Sequence, residues 1–197
     1  MGGQRGFQLG DLTVALAVFG LAMAVGVPQL LRITADLRLR LAADEVVASL
    51  RQAASLAVRT NREVALRFDI AGHQGSSTTF TLYRDGDGDG VTNEDIRSGV
   101  DPQVAPAGRL EHVGGEIRFG LPSQRVRDPG DPGHYLEGDD PIRFNDSNLA
   151  SFGPLGTSTP GSVYLTDGGS HLVAVRVYGR TGHIRVLHYD FAAQVWR

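Results

Sequence analysis

The stretch Asp85-Gly-Asp-Gly-Asp-Gly90 sets three carboxylates at alternate positions with a glycine after each. Calcium loops use that spacing: oxygen ligands two residues apart, then a glycine for the sharp turn. Asp85, Asp87 and Asp89 are candidate ligands. Val91 would add a backbone carbonyl, and Asn93 an oxygen, direct or through water. The twelfth position of such a loop carries a bidentate acid, but Ile96 stands there. Glu94 or Asp95 would have to serve through a shortened loop, with affinity on the order of 10⁻⁴–10⁻³ M. The same acidic, glycine-rich run also describes a turn between strands, and both readings stand. Ca²⁺ is the one ion the pattern suggests, and no cofactor is required.

Other chemistries have less support. All 19 basic residues are arginine, so there is no lysine for a phosphate-binding loop, and without cysteine there is neither a disulfide nor a thiolate metal site. Six histidines are scattered without ligand spacing. No catalytic constellation emerges, and an enzyme is not expected. Residues 85–146 hold 14 acids against 6 arginines, whereas 147–197 hold 4 arginines against Asp167 and Asp190. The net charge of −3 therefore hides an acidic middle and a slightly basic end. A uniformly basic nucleic-acid footprint is absent.

The elements that must carry these groups begin with an apolar run. From Leu12 to Leu31 no formal charge occurs, between Asp11 and Arg32. Twenty helical residues span about 30 Å, the hydrocarbon thickness of a bilayer, so a single membrane-spanning helix is expected. Ala22-Met23-Ala24 alternatively resembles a signal-peptide cleavage site, which would make the chain a secreted calcium-binding module. From Arg32 the pattern turns one-sided: Ile33, Leu37, Leu41, Val46, Val47, Leu50, Ala54, Ala57 and Val58 recur mostly three or four apart. The helix should continue to about Thr60.

The start, MGGQRG followed by FQLGDLTVALAVFG, resembles the prepilin motif of type IV pilin-like proteins. In that family a membrane peptidase cuts after the leader glycine and methylates the new terminus. The resemblance implies cleavage between Gly6 and Phe7, and a prepilin peptidase as partner. It also implies that Asp11, where the family has glutamate, pairs with a neighbouring subunit's terminal amine inside the membrane. Pro28 falls where pilins carry a helix-bending proline.

Beyond Asn61 the reading is β. Residues 63–69 and 79–83 alternate polar and apolar side chains and should form a hairpin; 109–121 reads as a broken strand, and 122–161 as surface loop. Strands are expected at 162–166, 172–178 and 184–189. This C-terminal stretch, FGPLGTSTPGSVYLTDGG to LVAVRVYGRTGHIRVLHYD, resembles the GspH/FimT group of minor pseudopilins and pilins. Basic residues at its last turn are linked, in FimT-like proteins, to DNA capture. That makes Arg180, His183 and Arg185 candidate nucleic-acid contacts, although few cations are present and nucleic acid is not expected as a partner.

Together these features imply an α+β, type IV pilin-like fold, with a long N-terminal membrane-spanning helix packed on an antiparallel sheet domain. Its parts would be a leader (1–6), a transmembrane half-helix (7–31), an amphipathic half-helix (32–60) and a periplasmic β-rich domain (61–197). The implied role is a minor pseudopilin of a type II secretion system in the bacterial inner membrane, partnered by other pseudopilins or pilins. A minor type IV pilin, acting in pilus assembly or DNA uptake, is the alternative.

Overall fold

The computed structural model describes residues 9–70, 79–110, 117–169 and 171–197. Helix α1 runs Leu9–Thr60, and the chain forms two compact units, Met1–Leu37 and Arg38–Arg197. In the first, Leu12, Val14, Leu16, Val18, Phe19, Leu21 and Met23 are all exposed. Among the described residues no helix is long and apolar enough to cross a membrane. The expected span ends at Leu31, and the side chains of Val25 and of residues 27–31 lie outside the described set. Gly6 and Phe7 also lie outside it, as do the side chains of Asp11 and Pro28, whose backbone belongs to α1.

In the second unit α1 buries a stripe of Leu39, Ala42, Ala43, Val46, Val47, Leu50, Ala53 and Ala57. These positions recur three and four apart, so they share one helix face. Expected members Leu37, Leu41 and Val58 are instead exposed, at 55%, 51% and 59%. The close-packed stripe favours alanines, whose small side chains let the sheets approach the helix. The helix ends at Asn61, which takes φ +50°, while the amide of Arg62 donates back to the Ala57 carbonyl at 3.3 Å. A left-handed asparagine with that return bond is a standard helix stop.

Two antiparallel sheets cover the stripe. In the first, β3 (Gly108–Arg109), β2 (Thr79–Arg84), β1 (Val64–Asp69) and β6 (Leu149–Phe152) lie in that order. The β1–β2 hairpin matches expectation, with Leu66 opposite Leu82 and Phe68 opposite Phe80; its connection lies outside the described residues. In the second sheet the order is β10 (Val195–Trp196), β9 (His183–Asp190), β8 (Leu172–Tyr178), β7 (Gly161–Thr166) and β4 (Arg118–Phe119), with β5 (Ile142–Arg143) also on β7. Helix and both sheets share one core, in which Phe68 stacks on Phe144 and meets Phe119 edge-on.

Residues 122–161 are not all loop. They contain β5 and β6, and β6 closes the first sheet against β1, Leu66 opposite Ala150. A short helix not among the expected elements, α2 (Asn93–Ser98), follows the acidic loop, capped by the Thr92 side chain, which accepts from the Asp95 amide.

Candidate functional site

The acidic loop leaves the end of β2 and folds back on itself. Gly88 and Gly90 both take φ +105°, a region that side-chain-bearing residues avoid. A Cβ on Gly86 would lie 1.9 Å from the Val100 carbonyl oxygen, so only glycine fits that approach. One carboxylate oxygen from each of Asp85, Asp87 and Asp89 falls within 4.8 Å of the others. Asp85 is buried, accepts from the Gly88 amide at 2.7 Å and faces the Arg62 guanidinium at 3.9 Å. Asp87 and Asp89 are exposed. A hydrogen bond with Asp89 holds the Asp87 carboxyl below its ordinary range. The same bond, reinforced by repulsion from Asp87, pushes Asp89 up.

Two acids that the sequence did not single out hold this loop. Asp101 is buried: its Oδ1 accepts from the Gly86 amide and its Oδ2 from the Thr92 amide, both at 3.0 Å. Glu63 Oε1 accepts from the Val91 amide at 3.0 Å. The amides of Gly86, Gly88, Val91 and Thr92 therefore have protein acceptors. Asp101 precedes a proline beyond the motif, and nothing in its spacing signals the role.

Of the remaining candidates, the Asn93 side chain donates its nitrogen to Asn148 Oδ1 at 2.9 Å, while its own Oδ1 is buried without a hydrogen-bond partner. Asp95 Oδ2 accepts from the Thr92 hydroxyl at 2.6 Å, within the helix cap. The structure thus gathers Asp85, Asp87 and Asp89, whereas Asp95 is outside that group.

The cationic candidates lie on the second sheet. Arg180 is exposed in the β8–β9 turn, where Gly182 takes φ +60°. His183 and Arg185, two apart on β9, share one face of the sheet, opposite to the core-packed Ile184 and Val186, and they pair with Tyr178 and Arg176 of β8. The Arg176 guanidinium sits 5.4 Å from the centre of the Tyr178 ring. Beside them a cleft is lined by Arg127, Tyr178, Arg185, Trp196 and Arg197. Arg127 and Arg197, distant in sequence from the β8–β9 turn, join the cluster only through folding. Trp196 Nε1 donates to the Arg127 carbonyl at 2.6 Å, fixing one wall.

The family model described as type II transport protein GspH matches residues 42–181, more than two-thirds of the chain. The matched span starts in the buried stripe of α1 and stops just before β9. No curated protein matches the chain, and no solved structure does.

Proposed function

The chain belongs to the GspH family of type II transport proteins, and from that premise we propose that it is a minor pseudopilin. In this reading it is a structural, non-catalytic subunit of the periplasmic pseudopilus of a type II secretion system. The first part of α1 would hold it in the bacterial inner membrane, with the β-rich domain in the periplasm and other pseudopilins as partners.

One observation carries the reading. A single helix, Leu9–Thr60, presents exposed apolar side chains over its first turns and an alanine-rich buried stripe over its last. A subunit anchored in lipid by one end of its helix and carrying a folded domain on the other needs both. The prepilin resemblance at Gly6 and Phe7 supplies the route by which such a subunit would be processed.

The test is the N-terminus of the membrane-extracted protein. Mass spectrometry should find a mature chain beginning at methylated Phe7. An intact Met1, or a start at Val25, would overturn the assignment. Deleting the chain should impair protein secretion; loss of pilus assembly or DNA uptake with secretion intact would favour a minor type IV pilin.

A further inference from the structure

The outer edge of β9 is half covered. β10 pairs with it only at Tyr189 and Asp190, and beyond them the His188 amide donates to the Arg197 carbonyl at 2.8 Å while the Arg197 amide returns the bond at 2.9 Å. Backbone direction alternates along a strand, so a residue whose amide and carbonyl point outward is followed by another two positions away. His188 points both groups outward; Val186 and Ile184 therefore do the same. Among the described residues no strand pairs with them on that side. The result is an open ladder of two residues, Ile184 and Val186.

Charge decides what such a strand would carry. The face beside this edge gathers Arg127, Arg176, Arg185 and Arg197 around Tyr178 and Trp196. Arg197 is paired with Asp190 at 3.0 Å, and Arg176 lies over Tyr178. Arg185 is exposed and has no ion pair or hydrogen bond among the described residues. The opposite face of the same strand is apolar, because Ile184 and Val186 pack against the core. An unpaired ladder beside arginines repels a cationic strand and attracts one with acids on alternate positions.

We propose that the open edge of β9 at Ile184 and Val186 docks an extended acidic peptide segment by strand addition, with Arg185 and its neighbouring arginines reading carboxylates on one face. Peptide main chain is favoured over nucleic acid because the unpaired groups form a strand ladder, which only another peptide backbone matches. This inference does not depend on the pseudopilin reading: it concerns an edge any partner could use.

The experiment uses the full chain in detergent and a dye-labelled, end-blocked octapeptide alternating glutamate and valine. Fluorescence anisotropy should show saturable binding. Hydrogen exchange at the Ile184 and Val186 amides should slow on peptide addition. Methylating the peptide's alternate backbone amides should weaken binding by about tenfold or more, as should Arg185→Glu in a protein that melts no lower than the parent. Equal binding by the methylated peptide, or unchanged exchange at both amides, would overturn the proposal. So would no binding at millimolar peptide, or displacement of the peptide by a single-stranded oligodeoxynucleotide of equal charge.

Discussion

Arg176 of β8 and Arg185 of β9 stand directly opposite each other, their guanidinium groups on the same face of the sheet. Like charges in that position destabilise a strand pair by about 0.2–1 kcal/mol. Replacing Arg185 with glutamate converts repulsion into attraction, so Arg185→Glu should raise stability by about 0.5–1 kcal/mol. Urea denaturation at low and high salt checks the cause. The gain should shrink at high salt, since exposed charges are screened; a loss of stability would show that Arg185 packs in a way its exposure does not reveal.

Asp11 lies in α1, four residues after Phe7. If its carboxylate pairs with the terminal amine of a neighbouring subunit, each charge removes the cost of burying the other in lipid. Asp11→Ala should be processed normally but enter filaments poorly, while Asp11→Glu should assemble. Immunoblots of sheared filament fractions would measure both. Normal assembly of the alanine variant would remove the pairing role.

Calcium at the acidic loop remains a proposal with a direct test. Binding to the folded state alone raises stability by mass action, so the melting temperature should rise in 10 millimolar calcium, about tenfold or more above the weak-site affinity range. Changing Asp85, Asp87 and Asp89 together to asparagine should abolish the rise. Because Asp89 is held above the usual carboxylate range, protons compete there early, and the calcium effect should fade as the pH drops through the acid range. Absence of any shift would leave the motif as a turn, which Asp101 and Glu63 already hold.

The turn between β7 and β8 rests on Asp167. Its Oδ1 accepts from the amides of Gly169 and His171, and its Oδ2 meets His171 Nδ1 at 2.6 Å. Burial pushes this carboxyl up, but the bonds from His171 and the two amides outweigh it and leave it below its ordinary value. A depressed carboxyl contributes stability that is present above the unfolded value, near 3.9, and lost as the pH falls through the folded one. Asp167→Asn should cost about 1–2 kcal/mol at neutral pH. The gap between variant and parent should close below about pH 4; a constant gap in denaturation midpoints from pH 7 to 3 would contradict the charge argument.

Much of the fold was legible in the sequence because it is periodic. The β1–β2 hairpin alternates, and β7, β8 and β9 fall within a residue of their expected bounds. The failures have physical causes. β6 reads Leu-Ala-Ser-Phe, buried on both faces, so it shows no alternation among surrounding glycines and prolines. The buried stripe of α1 also uses Ala42, Ala43 and Ala53, which carry little hydropathy, and the larger Leu41 and Val58 drew the expected face aside. α2 buries nothing and has no apolar signal; only the Thr92-x-x-Asp95 cap pattern marks it. At the candidate sites, the alternating aspartates were visible. Asp101, Arg127 and Arg197 were not, because long-range pairing brings them in.

The pairing of Leu66 with Ala150 also sets a timetable. β1 emerges early from synthesis, yet one of its two neighbours lies more than eighty residues further along the chain. Closing so long a loop costs entropy before any contact repays it, and non-local strand pairing is slow for that reason. Until β6 arrives, Val64 to Arg67 present an unpaired hydrophobic edge, the kind that seeds association between chains. The interval between synthesis of β1 and synthesis of β6 is thus the time in which this protein most needs to be kept apart from its own copies.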